Sequence, residues 1–243
     1  MRVCPLCEPD ALNEELIAFH KRFADRRQLD AGVQALRAFG EGRAVRVIDV
    51  RVDELTALVE RVEPGDTLAS TASEDEAMQV MARLFAARWP AVPAGSVAAP
   101  IADFADALDY ADLRRARTVF SELLADEVQP VLLHGDLHYD NILRSDRAGY
   151  LLIDAKGFEG DPAFDIGYLV SRPMPSARDC LPLAQAIDRR LAFLPDAIGL
   201  DAKRVTAFAY VAAALSAAWA REDRDPAVDR FLESMRVLES DLG

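Results

Sequence analysis

The sequence predicts an α+β fold of two lobes, a small N-terminal lobe that ends in strands and a larger, mainly helical C-terminal lobe. Three observations predict it. Arg43–Val50 and Leu55–Val62 read as short β segments that run into the turn signal Glu63-Pro64-Gly65-Asp66. From Pro162 onward the apolar spacing is helical nearly throughout. Between these regions lies an embedded β pair, Asn141–Leu143 and Tyr150–Ile153, joined by the polar turn Ser145–Gly149. The boundary is accordingly expected at the turn signal, with lobes of 1–63 and 64–243.

Each element has its own warrant. From Asp10 to Phe39 the apolar residues Leu12, Leu16, Ile17, Phe23, Val33, Leu36 and Phe39 fall mostly three or four apart, which predicts one helix closed by Gly40 and Gly42. Polar Arg51-Val52-Asp53-Glu54 separates the two β segments. Ser73 and Glu76 have capping-box spacing, each side chain able to satisfy the other's backbone N–H, and open a helix to about Ala87. A Pro-containing stretch from Pro90 to Pro100 precedes a helix over Tyr110–Ala125 and a short buried strand over Val131–Leu133. The last helices are expected at Ala163–Val170, Leu181–Leu194, Asp201–Arg221 and Ala227–Leu238.

Composition excludes several partners. The 243 residues are 51% apolar and 28% charged, values of a globular chain with ample core. Forty-one acidic against 28 basic residues give a net charge of −13, which repels nucleic acid and anionic lipid, so neither is an expected partner. Met1–Asp10 has no cationic start followed by an apolar stretch, and Val205–Ala220 is Ala-rich and too short to span a bilayer comfortably. Three cysteines form no disulfide framework, so the expected compartment is the reducing cytoplasm. Cys4 and Cys7 form a C-x-x-C, but a zinc site lacks its second pair, Cys180 being distant, and two ordinary thiols are the expectation.

The chemistry concentrates in two stretches. Val131–Leu143 contains H-G-D-L-H-Y-D-N (134–141), and I-D-A-K-G (153–157) follows after the β pair. Phosphoryl transfer needs a carboxylate within reach of the attacking hydroxyl and hard oxygen ligands for Mg²⁺ on the phosphates. Asp136 lies in a short polar loop after a buried strand, Asn141 starts the next strand with an amide oxygen, and Asp154 ends its partner strand with a carboxylate. The spacing is that of the phosphoryl-transfer loop H-x-D-x-x-x-x-N followed by a metal-binding Asp. His134 and His138 flank Asp136, and the same loop explains them better than a metal triad does.

These motifs resemble the aminoglycoside phosphotransferase family, a branch of the protein-kinase-like fold. Within it the chain is most similar to the streptomycin 6-phosphotransferase and aminoglycoside–hydroxyurea resistance kinase group. The residues that carry the resemblance are L-L-H-G-D-L-H-Y-D-N-I-L (132–143), I-D-A-K-G-F-E-G-D-P-A-F-D-I-G (153–167) and A-L-S-A-A-W-A-R-E-D (214–223). L-V-E-R-V-E-P-G-D-T-L (58–68) resembles the hinge between the lobes. The resemblance implies a kinase that uses ATP and Mg²⁺ on a small hydroxylated acceptor, cationic in the aminoglycoside case. It implies Asp136 as catalytic base, Asn141 and Asp154 as Mg²⁺ ligands, His134 as a brace of the loop, and Asp165 as its support from a helix start. Backbone groups around Glu60 and Val62 would meet the adenine. Lys156 is either a phosphate or substrate contact or a surface lysine. Trp219, Glu222 and Asp223 either bind a polycationic sugar by stacking and charge-assisted hydrogen bonds or form an acidic helix end over a core Trp.

The N-terminal part departs from the family's pattern. No glycine-rich loop precedes the hinge, where the only glycines are Gly32, Gly40 and Gly42, and the lobe is short. Lys21 is the candidate phosphate lysine, although the local periodicity favours a helix there. Gly32 occupies the position expected for the lysine's glutamate partner, with Asp30 a poor stand-in. These departures keep a second reading open, a kinase-fold protein of impaired catalysis that binds a ligand or partner.

Overall fold

The computed structural model describes residues 18–172 and 181–242, and its first element is a strand where a helix is expected. Strand β1 spans Ala18–Arg22, and helix α1, Arg26–Phe39, starts only after it. The Asp25 side chain accepts from the Gln28 amide at 2.9 Å and so sets the start of α1. Strands β2 (Val47–Arg51) and β3 (Thr56–Glu60) complete an antiparallel sheet in the order β1-β3-β2. Ala18 lies opposite Glu60 and Arg22 opposite Thr56, so long-range pairing satisfies the β1 backbone and overrides the local helical spacing. Leu12, Leu16 and Ile17 lie outside the described residues, as do Cys4, Cys7 and Cys180. The expected strand over Arg43–Val50 also divides. Arg43–Val45 hydrogen-bonds to Leu152 far along the chain, and β2 begins after it.

Strand β4, Pro64–Thr67, takes up most of the expected turn Glu63–Asp66. Helix α2 (Leu68–Thr71) and helix α3 (Glu74–Phe85) follow, the latter opened by the expected capping box of Ser73 and Glu76. The Pro-containing stretch ends in β5 (Ala99–Pro100), and 3₁₀ turns over Ile101–Leu108 and Ala111–Leu113 lead into α4 (Arg114–Ala125). Then come β6 (Val131–Leu133), β7 (Ile142–Ser145), β8 (Gly149–Leu152) and β9 (Phe158–Gly160). One three-stranded sheet has the order β4-β7-β8, the other β5-β9-β6. Four helices finish the described chain: α5 (Pro162–Ser171), α6 (Leu183–Ile198), α7 (Ala202–Glu222) and α8 (Val228–Glu239).

The core gathers around α7, whose residues Phe208–Ala218 are all buried. Its alanines allow α5 and α8 to pack closely, which exploits the low helix cost and small volume of Ala. β6 meets α5 of this helical base, the β7–β8 hairpin packs on β4 and α2, and the loops after β6 and β8 are hydrogen-bonded to each other.

Candidate active site

Strand β6 delivers the 134–141 loop, and α5 braces it. Asp165, fully buried in α5, accepts from the amides of His134 (2.8 Å) and Gly135 (2.9 Å) and from Trp89 Nε1 (2.8 Å). Burial pushes the Asp165 carboxyl up to about 6, against the pull of these three donors. The His134 ring is also buried. Its Nε2 donates to Ile153 O at 2.8 Å, and Nδ1 accepts from the Asp136 amide at 3.3 Å. Both nitrogens are thus used by the neutral ring, and burial lowers its pKa to about 4. Among the described residues no group of three or more His, Cys, Asp or Glu side chains is placed to hold a metal ion.

The ends of β6 and β8 are laced together. The amides of Lys156 and Gly157 donate to His134 O at 2.8 and 3.2 Å, Asn141 Nδ2 donates to Asp136 O at 2.9 Å, and the Ile153 amide donates to Asn141 O at 2.9 Å. Asp154 sits between them with a left-handed backbone, φ 61°, a strained conformation tolerated best by short polar residues. Charges converge at this junction. Lys156 Nζ lies 3.8 Å from Asp136 Oδ2 and 3.7 Å from Asp154 Oδ1. Lys21 of β1 pairs with Asp154 Oδ1. Burial and then Lys156 lower the Lys21 pKa to about 7, while Asp136 opposes them. His138 Nε2 lies 3.8 Å from Asp136 Oδ1, and burial first of all lowers its pKa.

Helix α1 presses on the same loop. A Cβ on Gly32 would lie 2.7 Å from Ala155 O, and one on Gly157 would lie 2.3 Å from Ala31 O. No side chain fits at this crossing, so an acidic partner for Lys21 at position 32 is sterically excluded. Asp30 pairs instead with Arg26 at 2.5 Å.

The other expected site residues lie farther from the junction. Glu60 ends β3, its amide committed to Arg46 O at 2.9 Å and its carboxylate to Arg147 and Arg46; Val62 follows, buried. Trp219 is half-buried, with its ring edge-on to Phe104 at 5.3 Å, and Phe104 meets Phe158 at 4.7 Å. Phe158 covers Gly135, so two rings link Trp219 to the 134–141 loop. Glu222 and Asp223 are exposed, and among the described residues neither has a side-chain hydrogen bond or ion pair to that loop.

Two residues escape the sequence reading. Tyr168 Oη lies 3.3 Å from Asp136 Oδ1, and Arg172 Nη2 donates to the same hydroxyl. The signal for Tyr168 lay in α5, where it stands three residues after Asp165 on the same helix face, and Arg172 follows as the residue that ends the helix.

The family model for aminoglycoside/hydroxyurea antibiotic resistance kinases matches residues 16–224. A streptomycin 6-kinase of Streptomyces glaucescens is 31% identical over 218 residues, covering 84% of this chain and 71% of that protein. A streptomycin 3''-kinase of Klebsiella pneumoniae is 30% identical over 204 residues, covering 78% and 75%. Among solved structures, the choline kinase LicA from Streptococcus pneumoniae superposes with a TM-score of 0.65 over 94% of this chain and 88% of that one, at 18% identity, a likeness of fold. LicA has also been solved in complex with AMP. No helix among the described residues is long and apolar enough to cross a membrane. With a family match that runs from before β1 to beyond α7, this chain belongs to the aminoglycoside/hydroxyurea antibiotic resistance kinases, enzymes that phosphorylate hydroxyl groups.

Proposed function

We propose that this enzyme transfers the γ-phosphoryl group of ATP, with Mg²⁺, to a hydroxyl of an aminoglycoside of the streptomycin type. The observation that carries the reading is the convergence of Asp136, Asn141, Asp154, Lys156 and Lys21 on one pair of laced loops. In this scheme the acceptor oxygen bonds to the γ-phosphorus, the bond to the bridging β-phosphate oxygen breaks, ADP leaves, and Asp136 takes the hydroxyl proton. Asp154 and Asn141 would hold Mg²⁺. The donor set fits, because both offer hard oxygens and the Asn141 hydrogen bond uses its nitrogen, leaving Oδ1 as a ligand. Bound Mg²⁺ supplies charge neutralisation at the β- and γ-phosphate oxygens.

Lys21 supplies the phosphate cation, and its partial desolvation suits it to take an anion in place of Asp154. Lys156 contacts the transferring phosphoryl group. A cation 3.8 Å from Asp136 favours phosphate over a cationic acceptor at that point. The carbonyl of Glu60 and the backbone of Val62 meet the adenine. Trp219, Glu222 and Asp223 form the acceptor side, where exposed carboxylates and a net charge of −13 favour cationic sugars. An ATP-dependent reaction belongs in the cytoplasm.

Lys21 also bears on the second reading. That reading rests on the absent glycine-rich loop and lysine–glutamate pair; Lys21 reaches Asp154 from β1, while position 32 carries no acidic side chain. The test compares wild type with Asp136→Asn in ADP release from Mg-ATP with streptomycin. Turnover should vanish in the variant while the Mg-ATP-induced rise in melting temperature persists. Equal turnover removes Asp136 from the mechanism. No thermal shift at millimolar Mg-ATP favours the impaired binder.

A further inference from the structure

We propose that Tyr168 and Arg172 are positioning residues that hold Asp136 Oδ1, which assigns the proton-accepting role to Oδ2. The inference rests on Asp136 being the base of the proposed reaction.

Hydrogen-bond direction carries the argument. A guanidinium has only donors, so Tyr168 Oη accepts from Arg172 Nη2. The single phenolic proton is then directed at Asp136 Oδ1, 3.3 Å away. His138 Nε2 approaches the same oxygen at 3.8 Å. Oδ2 faces the opposite side, toward Lys156 at 3.8 Å, and Lys156 leads on to Asp154 at 3.7 Å. One oxygen is therefore committed to α5, and the other is presented to the phosphate side of the site. A carboxylate held in one orientation offers its free oxygen to the acceptor hydroxyl without losing time to rotation, a positioning gain of the kind enzymes use widely.

The relay is itself well anchored. Tyr168 is 4% exposed and packs near Phe164. The Arg172 guanidinium carbon lies 4.3 Å from the Tyr168 ring centroid and 4.9 Å from that of Phe231. Arg172 O accepts from buried Arg190 Nη1 at 2.5 Å, which fixes the backbone at the end of α5. Among the described residues Arg172 Nε is buried without a hydrogen-bond partner.

The test measures ADP release from Mg-ATP, with streptomycin and in parallel with water as acceptor, for wild type, Tyr168→Phe, Arg172→Met, the double variant, Arg172→Lys and Asp136→Asn. Tyr168→Phe and Arg172→Met should each lower kcat about tenfold, the scale of one hydrogen bond to a charged group. KM for ATP and the Mg-ATP-induced rise in melting temperature should not move. The double variant should lose no more than the worse single one, because Arg172 acts through the Tyr168 hydroxyl. Arg172→Lys keeps a donor and should recover most of the rate. Should Arg172→Met fail to fold, Tyr168→Phe, which removes one oxygen, decides alone. Tyr168→Phe within twofold of wild-type kcat while Asp136→Asn is inactive overturns this inference and leaves the phosphotransfer reading standing. Multiplying losses in the double variant also overturn it. Asp136→Asn at wild-type rate, or no ADP release by wild type with either acceptor, brings down the phosphotransfer reading itself.

Discussion

Lys21 and Asp154 form an ion pair that ties the first strand to the loop after β8. The partner is unusual in its source. Helix α1, which packs over that loop, has at position 32 a glycine whose missing Cβ would strike Ala155 O. The lysine therefore leans on the proposed metal ligand directly.

Lys21→Met should separate stability from activity. The paired side chains are 21% and 33% exposed, so the ion pair itself contributes no more than about 1 kcal/mol after solvent screening. Unfolding in urea should change by that amount or less. By contrast kcat/KM for ATP should fall on the order of 100-fold, since the phosphate loses its cation. A destabilised but fully active variant would show that Lys21 is structural.

Gly32→Ala should destabilise, although Gly→Ala inside a helix ordinarily gains about 0.5–1 kcal/mol. Here the new Cβ meets backbone at 2.7 Å, and α1 must shift off the Asp154 loop. A cost of about 1–3 kcal/mol is expected, as for other overpacked sites. Gly42→Ala is the control, because nothing lies within 4 Å of its added Cβ, and it should stay within about 0.5 kcal/mol. Urea titrations of both variants check the contrast.

The 134–141 loop and the loop after β8 were legible as a pair because the chain between them is one short turn and a hairpin, which brings Asp136, Asn141 and Asp154 to the same end of β6 and β8. The C-terminal helices were legible for the same reason, each having its own periodicity and stops. What failed depended on distant partners. Ala18–Arg22 is a strand only because β3 lies beside it, and Pro64–Thr67 only because β7 does. β9 is three residues long, too short for any pattern, and is held by β5 and β6. Nothing local marked Tyr168, inside the expected helix, or Arg172, just beyond it, because their link to Asp136 depends on how α5 packs against the 134–141 loop.

The ring of His134 should make the protein acid-sensitive. Its folded pKa lies below its ordinary value, 6.5 against about 4, so its contribution is fully present above pH 6.5 and lost as pH falls toward 4. At about 1.4 kcal/mol per pH unit, that interval amounts to on the order of 3 kcal/mol. Asp165 works the other way. Its pKa is raised from 3.8 to about 6, so its stabilisation is present at low pH and fades as pH rises through 6. The two oppose each other in wild type, and His134→Asn exposes the difference. Between pH 7 and pH 4, wild type should lose about 3 kcal/mol relative to the variant in urea unfolding; parallel curves would deny that the ring titrates in the fold.

The buried pair of Arg190 and Glu74 makes the strongest stability prediction. Arg190 is 0% exposed and Glu74 2%, joined at 2.5 and 2.9 Å by two hydrogen bonds across α6 and α3. Arg190 also donates to Val170 O at 3.0 Å and Arg172 O at 2.5 Å, and lies 5.0 Å over the Tyr139 ring. One guanidinium thus joins two helices, the end of α5 and the 134–141 loop. Glu74→Gln should be milder than Arg190→Met, because the amide keeps its shape and an acceptor, whereas Met strands a buried carboxylate and two carbonyls. Breaking a buried pair from one side costs about 3–5 kcal/mol, and Arg190→Met should reach that range. Adding Glu74→Leu to Arg190→Met should restore much of the loss, since two apolar side chains leave no uncompensated charge. A double-mutant cycle by chemical denaturation measures this. If the double variant is no more stable than Arg190→Met alone, the carbonyl contacts at the end of α5, and not the ion pair, carry the stability.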